Sequence, residues 1–212
     1  MTVRTDVVMG VDVGTTSAKV LVRDSNGGRE VLISERTPWM TAAGGTETTA
    51  ARLLDLVWGL LTRAAHETTA RLGPVQVVGV GVAGLAESGI LLDSRGAPCA
   101  PVIAWFDRRG KEQVAALDSH APLLRQQFPR RTGLPWDCQP SLAKLLWLRD
   151  SGTAIPAAHR WASVPEWLAH QLGADLVREP SLASRTGLVD QRTGEVWAEG
   201  APGRGARPRR SG

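Results

Sequence analysis

The sequence predicts an α/β fold whose first elements follow the order β-β-β-α-β. Three observations support this class. The chain opens with three short apolar segments separated by turn residues, continues with one long segment of helical periodicity, and returns to a Val-rich run after a Gly-Pro break. With 212 residues, 42% of them hydrophobic, the chain is long enough to bury a substantial core.

The three opening strands are predicted from apolar patterning and turn residues. Residues 7–14 form a dense Val-rich run, which is typical of a buried strand. Residues 17–23 alternate in hydrophobicity, and the Asp-Ser-Asn-Gly-Gly sequence after them is a strong hairpin signal. Residues 30–36 are predicted to form the third strand. We therefore expect a three-stranded antiparallel meander.

The hydrophobic period changes from that of a strand to that of a helix between Thr46 and about Thr68. Five apolar residues recur there at the spacing of one helix face: Leu53, Val57, Leu60, Leu61 and Ala64. Thr46 is the predicted N-cap. Gly73 and Pro74 then break the helix before residues 75–84, which are predicted to form another buried strand.

The later elements are predicted more coarsely. Residues 88–93 and 101–105 flank a Ser-Arg-Gly turn and predict a further hairpin. Helical patterns follow at about 107–117, 141–149 and 164–171. Residues 187–197 predict a last hairpin around a Gln-Arg-Thr-Gly turn.

The basic charge of the chain is concentrated in its last fifteen residues. Residues 198–212 contain four arginines and one glutamate, so they carry +3 of the formal net charge of +4. Their Ala, Gly, Pro, Arg and Ser composition predicts a disordered tail. Because the tail directly follows a well-formed hairpin, we interpret it as a possible frameshift product. The main body has no basic stripe with interleaved aromatic residues, which argues against a nucleic-acid partner.

Targeting and redox signals predict a cytoplasmic protein. No apolar segment approaches the roughly 20 residues that span a bilayer, so no membrane association is expected. The N-terminus lacks the features of a secretory signal. Cys99 and Cys138 lack metal-ligand spacing and are predicted to be free thiols.

The bend between the first two strands carries groups suited to phosphate. Asp12 precedes Gly14, a residue that permits close backbone approach. Three hydroxyl residues follow: Thr15, Thr16 and Ser17. Successive backbone N–H groups at a tight bend attract phosphate oxygens, Asp12 could hold Mg²⁺, and Lys19 could supply positive charge. Together these groups indicate phosphoryl transfer. The alternative is a simple hairpin with an incidental aspartate.

Residues 10–24, GVDVGTTSAKVLVRD, resemble the first phosphate motif of the FGGY family of carbohydrate kinases, which includes xylulokinases, gluconokinases and glycerol kinases. The resemblance continues through residues 81–110, 131–150, 164–173 and 181–197, and covers about Val8 to Trp197. It implies a ribonuclease-H-like fold of the actin/hexokinase/Hsp70 superfamily. Residues 1–197 would form the N-terminal, sugar-binding domain.

The resemblance also implies ligands and site residues. ATP and Mg²⁺ would be the cofactors, and a sugar or sugar acid similar to xylulose or gluconate would be the substrate. The phosphate would contact five residues: Gly14, Thr15, Thr16, Ser17 and Lys19. Asp12 would hold the metal. The sugar would contact four residues: Glu87, Trp105, Asp107 and Gln139.

Several positions depart from the family pattern. Ala86 replaces a usually polar or bulky residue, and Gln139 stands where glycerol kinases have a hydroxyl-binding tyrosine, which argues against glycerol. Pro165 occupies a position that is often Asp, and Leu182 one that is often Asn. These departures leave the sugar open.

Each candidate residue has a structural alternative. Trp105 could be a core residue, and Asp107 could N-cap the following helix. Three tryptophans at helical positions are predicted to be core residues: Trp147, Trp161 and Trp167. Lys144 is predicted to be solvated or snorkelling. Residues 79–84 match the dinucleotide fingerprint, but a strand rather than a helix is expected after them, so we interpret their glycines as close-packed.

The resemblance places the general-base aspartate and the nucleotide-binding domain downstream of the matched region. No catalytic base is therefore assigned in this chain, and negligible kinase activity is expected from it alone. Self-association, or a complementing C-terminal half, is possible. One alternative function is a non-catalytic remnant or a sugar- or partner-binding module, and a second is a chaperone-type ATPase.

Overall fold

The computed structural model describes residues 4–28, 30–42, 44–157 and 159–197. In chain order these residues form the following strands and helices: β1 (Thr5–Val13), β2 (Ser17–Asp24), β3 (Glu30–Arg36), β4 (Met40–Ala42), β5 (Gly45–Thr48), α1 (Ala50–Leu72), β6 (Val75–Gly84), β7 (Gly89–Leu92), β8 (Val102–Ile103), α2 (Lys111–His120), α3 (Pro122–Thr132), α4 (Ser141–Asp150), β9 (Arg160–Ser163), α5 (Val164–Gln171) and α6 (Pro180–Ala183).

A four-stranded sheet in the order β3-β2-β1-β6 organises the first half of the chain. β1, β2 and β3 pair antiparallel, as the hydrophobic pattern predicts, and β6 runs parallel to β1. Because β1 and β6 are parallel, both strands end at the same edge of the sheet. The bend after β1 and the loop after β6 therefore lie side by side.

Helix α1 covers one face of this sheet. All five residues predicted to share its apolar face are buried: Leu53, Val57, Leu60, Leu61 and Ala64. They pack against alternate residues of the central strands, such as Val11 and Val20. Full burial of one such aliphatic side chain stabilises the fold by about 1.5–3 kcal/mol. Because most of the largest apolar cluster in the described residues lies between α1 and the sheet, this layer is the main core.

The opposite face of the sheet is exposed in the part of the chain that the structure describes. Leu32 is 62% exposed and Val78 is 53% exposed. The prediction that β6 is buried is wrong, since none of its ten residues is buried. β6 lies at the edge of the sheet, where only β1 pairs with it. The valines of β6 would be suited to a buried strand, but in the described residues no element buries them.

The glycines of β6 are not uniformly close-packed, which corrects a second prediction. A Cβ added to Gly81 would meet no atom within 4 Å, and one on Gly79 would only reach Val8 Cγ1 at 4.0 Å. At Gly84, in contrast, a Cβ would lie 2.5 Å from the Val13 carbonyl oxygen. A loop and β7 follow Gly84, so a strand rather than a helix comes next, as predicted.

A short hairpin of β4 and β5 precedes α1, so the observed order is β-β-β-β-β-α-β. Thr46 pairs with Thr41 in this hairpin and is not the N-cap. The N-cap is Thr49, whose hydroxyl accepts a hydrogen bond from the Arg52 amide at 3.2 Å. Several hydroxyl residues precede the helix, so the capping signal alone could not select among them.

The second half of the chain differs from its prediction in strand pairing, and it contains three elements that were not predicted: β9, α3 and α6. The turn at Asp93 forms, with its amide donating to the Ala97 carbonyl at 2.8 Å, but β7 pairs with β9 and β8 pairs with β5. One bridge of the predicted hairpin forms, between Leu92 and Pro98, and Pro101 has no N–H with which to continue the ladder. Helix α3 was not predicted, because Pro129 lies inside it.

Two of the other helices follow the sequence pattern closely. α4 and α5 lie where periodicity places them, and α2 begins at Lys111 rather than Asp107. The last hairpin is present, with Val189 and Val196 forming a bridge. The predicted disordered tail, residues 198–212, lies outside the described residues. None of the helices in the described segments is long and apolar enough to cross a bilayer.

Candidate functional site

The bend between β1 and β2 is tight and carries charged residues on one face. The Gly14 amide donates to the Ser17 carbonyl at 3.1 Å and closes the bend. Asp12 and Lys19 are directly opposite each other in the antiparallel register, and both are exposed. An acid and a base therefore stand on the same side of the sheet, at the start and end of the bend.

Two residues before β4 hold the backbone of this bend from behind. Thr37 donates from Oγ1 to the Gly14 carbonyl at 2.7 Å and from its amide to the Thr16 carbonyl at 3.1 Å. The Trp39 indole donates to the Thr15 carbonyl at 2.7 Å. All three carbonyl oxygens are thereby engaged, which turns them away from an anion that they would repel. No local sequence pattern distinguishes Thr37 or Trp39 as a partner of the bend.

A third contact links the bend to the segment after β8. The Trp105 indole N–H donates to Thr15 Oγ1 at 2.8 Å. Phe106 packs edge-on against both Trp105 and Trp39, with ring centroids 5.8 Å and 6.2 Å apart. Two tryptophans thus hold a single residue of the bend, and one phenylalanine restrains both rings.

The fit of this site to Mg²⁺ follows from the chemistry of its donors. Among the described residues, no group of three or more His, Cys, Asp or Glu side chains could hold a metal ion by itself. Mg²⁺ is usually held by one or two carboxylates together with substrate phosphates and water. A single exposed carboxylate, Asp12, beside hydroxyl and N–H groups for phosphate fits that mode of binding.

Glu87 lies on the neighbouring loop, after the carboxyl end of β6. The Leu85 amide donates to the Val13 carbonyl at 3.0 Å, which ties this loop to the end of β1. Glu87 forms an ion pair with Arg185, in which Nη2 is 2.7 Å from Oε1. Arg185 comes from the segment after α6, and no local sequence pattern marks it as a partner of Glu87.

Gln139 is brought towards Glu87 by the start of α4. Ser141 donates from its hydroxyl to the Glu87 carbonyl at 2.8 Å, and the Leu142 amide donates to the Thr186 carbonyl at 2.8 Å. Gln139 is exposed and stands two residues before Ser141. The structure therefore gathers Glu87, Gln139 and Arg185 in one region.

Neither role predicted for Asp107 matches its geometry. The side chain is 2% exposed, and its oxygens accept bonds from the Arg109 guanidinium and from the Thr46 amide. The N-cap of α2 is Gly110. Burial by itself would raise the pKa of Asp107, but the bonds from Arg109 and Thr46 bring it below its ordinary value. Asp107 braces this loop and is not available to a sugar.

Lys144 is completely buried, so the prediction of a solvated residue is wrong. Its ammonium donates to the Asp107 carbonyl and to the Cys138 carbonyl, each at 2.6 Å. Burial lowers the pKa of Lys144. Its two bonds connect the loop that carries Trp105 to the segment that carries Gln139. No periodicity in the sequence distinguishes such an internal lysine from a surface one.

Asp190, in the turn of the last hairpin, makes contacts that agree with a structural role. It accepts a bond from Arg192 of the same hairpin at 2.7 Å and a bond from Arg131 of α3 at 3.0 Å. The Arg192 hydrogen bonds hold the pKa of Asp190 well below its usual range. Such a carboxylate is a poor proton acceptor at neutral pH.

Comparison with known proteins places this geometry in a family context. The N-terminal domain model of the FGGY family of carbohydrate kinases matches residues 7–199. A glycerol kinase from Acinetobacter baylyi is 28% identical over 201 residues, covering 91% of this chain and 40% of its own length. A gluconokinase from Bacillus subtilis is 25% identical over 202 residues, covering 93% of this chain and 37% of its own.

A solved structure gives the same picture of the fold. The xylulose kinase from Rhodospirillum rubrum superposes with a TM-score of 0.78 at 26% identity, over 91% of this chain and 39% of that one. This chain therefore spans about two fifths of the length of the proteins that it matches.

Proposed function

Because this chain belongs to the FGGY family of carbohydrate kinases, we propose that it is the part of an ATP-dependent kinase that holds the sugar and receives the phosphate groups of the nucleotide. Residues 1–197 would form this N-terminal domain. The general base and the adenosine-binding domain would be supplied by sequence downstream of residue 197.

The observation that supports this proposal best is the held bend between β1 and β2. Its three carbonyl oxygens are bound from behind by Thr37 and Trp39. Its hydroxyls stand between the exposed Asp12 and Lys19. Phosphoryl transfer depends on positioning and charge neutralisation, and a rigid bend supplies both without reorganisation.

In this function, the residues of the bend contact either the phosphate or Mg²⁺. The hydroxyl and N–H groups of residues 14–17 donate to phosphate oxygens, and Lys19 neutralises charge. Asp12 holds Mg²⁺ directly or through its water molecules; the ion, when bound, draws charge from the phosphate oxygens.

The substrate that we propose is a sugar or sugar acid similar to xylulose or gluconate. Relatives named for glycerol, gluconate and xylulose all match this chain, so family membership alone does not choose among them. Glu87 and Gln139 offer a carboxylate and an amide to hydroxyl groups. Half-buried Trp105 offers an aromatic face to the carbon face of a sugar. Asp107 is not included, because Arg109 and Thr46 already occupy it.

The competing function is a sugar- or partner-binding module without phosphoryl transfer. The two functions differ in whether the bend binds phosphate in the presence of Mg²⁺. A module that only binds sugar needs no charged residues at the bend, whereas a kinase domain requires them.

The test is a titration of the ¹⁵N-labelled 212-residue chain with Mg·ADP, followed by two-dimensional NMR. We expect the amide signals of residues 14–17 to shift most. Asp12→Asn lowers the Mg²⁺-dependent affinity by about tenfold, equivalent to about 1.4 kcal/mol. Asp6→Asn, an exposed aspartate on the same strand, is the matched control and leaves the affinity unchanged. Equal affinities of the Asp12→Asn variant and the wild type refute the proposal.

Turnover is measured separately by coupled ADP release with xylulose, gluconate, ribulose and glycerol. We expect none above background from these residues alone. A rate near the typical enzyme value of about 10 per second would show that the base lies within the chain.

A further inference from the structure

The hydrogen bond between Trp105 and Thr15 joins the two halves of the proposed site. The donor is the indole N–H that follows β8, and the acceptor is the hydroxyl oxygen of the bend, 2.8 Å away and 90 positions earlier in the chain. Both residues are half-buried, so neither is sealed inside the core. The Trp105 indole therefore contacts the bend while part of its surface stays open to solvent.

This bond determines what the Thr15 hydroxyl can do. A threonine hydroxyl has one hydrogen to donate and two lone pairs that accept. Because the indole N–H occupies a lone pair, the hydroxyl hydrogen rotates away from Trp105 and remains available to a different acceptor. A phosphate oxygen is such an acceptor, and it requires a donor in a fixed direction.

The surroundings keep Trp105 and Thr15 in this arrangement. The Trp39 indole donates to the Thr15 carbonyl at 2.7 Å, so Thr15 is held at its backbone as well as at its side chain. Phe106 packs edge-on against both indoles. Farther along the loop, buried Lys144 holds the Asp107 carbonyl. These contacts restrain the Trp105 ring but leave it half-buried, with part of its surface open to a ligand that can restrain it further.

We propose that Trp105 is a positioning residue that couples the two ligands: its ring packs against the sugar while its N–H orients the Thr15 hydroxyl towards the phosphate. The inference rests on the proposed function and deepens it. A sugar on the ring restricts the indole, which fixes the hydroxyl donor and tightens phosphate binding. By linkage, phosphate tightens sugar binding by the same factor.

The experiment separates the N–H donor from the aromatic ring. Trp105→Phe keeps a ring but removes the donor, and Trp58→Phe, an exposed tryptophan on α1, is the matched control. Mg·ADP is titrated into each chain with and without saturating xylulose or gluconate. In the wild type we expect one sugar to raise Mg·ADP affinity by about fivefold or more, within the usual range of allosteric coupling. Trp105→Phe abolishes this increase, and Trp58→Phe retains it.

A spectroscopic measurement on the ligand-free chain tests the bond itself. The Trp105 indole N–H signal shifts in Thr15→Val, which lacks the hydroxyl, and stays near its wild-type position in Thr15→Ser, which keeps it. A core residue without this bond would show no such difference. If Thr15→Val does not fold, Thr15→Ala, which also lacks the hydroxyl, takes its place in the comparison with Thr15→Ser.

The possible failures are distinguishable. If the wild type binds Mg·ADP at the bend but neither sugar alters its affinity, or Trp105→Phe retains the full sugar effect, the coupling is wrong and the proposed function stands. If the Trp105 indole N–H signal does not shift when the Thr15 hydroxyl is removed, the coupling is also wrong. If Mg·ADP does not bind the bend at all, the proposed function fails and the coupling fails with it.

Discussion

Arg185 and Glu87 form a two-point ion pair across 98 positions of sequence, with Nε at 2.8 Å and Nη2 at 2.7 Å from the same carboxylate oxygen. The carboxylate is 15% exposed, while the arginine is 46% exposed. Because both nitrogens use one oxygen, Arg185 fixes the direction in which the other oxygen points. The pair thus orients the acid that we propose binds sugar hydroxyls.

Replacing Arg185 should weaken sugar binding more than it weakens folding. We expect Arg185→Ala to lower the affinity for xylulose or gluconate by about tenfold, since hydrogen bonds to charged groups contribute about 1.5–3 kcal/mol. Arg185→Lys recovers only part of this loss, because lysine cannot present two nitrogens in one plane. Calorimetric titration measures the effect. Arg149→Ala removes an exposed arginine paired with Asp150 and serves as the control; identical affinities for the two alanine variants would contradict the prediction.

Asp107→Asn should destabilise the fold at neutral pH. The change weakens one of the two anionic partners of buried Arg109, whose guanidinium also pairs with Glu47, and losing hydrogen bonds to a charged group costs about 1.5–3 kcal/mol. Urea unfolding monitored by tryptophan fluorescence measures this loss. Asp175→Asn, at an exposed position, should leave the unfolding free energy within about 0.5 kcal/mol of the wild type.

The same variant changes the response to acid. The folded-state pKa of Asp107 lies below its ordinary value of 3.8, so the unfolded state binds more protons between the two values. The stabilisation from Asp107 is therefore complete above pH 3.8 and is lost as the pH falls through the folded-state pKa. Asp107→Asn lacks this part of the acid transition. A wild-type and variant pair whose unfolding free energies fall in parallel in acid would refute the assignment.

Lys144→Met should change stability in alkaline solution. Burial lowers the pKa of Lys144 below 10.5, so the unfolded state binds more protons between the folded-state pKa and 10.5. The contribution of Lys144 to stability therefore rises as the pH increases through this window, and the methionine variant lacks that rise. Unfolding free energies measured from neutral to alkaline pH test this. Burial raises the pKa of the Cys138 thiol, whose charge interacts with that of Lys144, so all chains compared carry Cys138→Ala to remove its titration. Lys111→Met, at an exposed lysine, should follow the wild type; a constant difference between Lys144→Met and the wild type at all pH values contradicts the prediction.

The exposed sheet face should cause the isolated chain to self-associate. An uncovered apolar face and an unpaired edge strand both favour contact with another copy. We expect the sedimentation coefficient of the wild type to rise with concentration. The double variant Leu32→Lys and Val78→Lys should remain monomeric, because both residues are exposed on this sheet. Leu123→Lys changes an equally exposed leucine on α3 and should still associate. A wild type that stays monomeric at all concentrations would contradict this prediction.

The sequence predicts those features that depend on neighbours a few residues apart. The meander is encoded by alternation and by the Asn-Gly turn, and the face of α1 by its 3.6-residue period. The bend was identified because its acid, glycine and hydroxyls are consecutive. Helix α3 escaped prediction because its periodicity is weak and Pro129 lies inside it.

Pairing between distant strands was not predictable in the same way. β8 joins β5 and β7 joins β9, although local pattern favours a hairpin between β7 and β8. The exposure of β6 likewise depends on which elements cover it, and a Val-rich run is the same sequence whether or not a neighbour is present.

The sequence by itself therefore determined the three-stranded meander, the buried face of α1, the tight bend after β1 and the family resemblance, since all of these depend on residues close together in the chain. Only the tertiary structure decided which side chains hold that bend and face the proposed sugar. Thr37, Trp39, Lys144 and Arg185 act through contacts with residues brought close by folding. The burial of a side chain and its contacts depend on residues that are distant in the sequence, so a local pattern cannot predict them. Its charge and direction depend on them in turn.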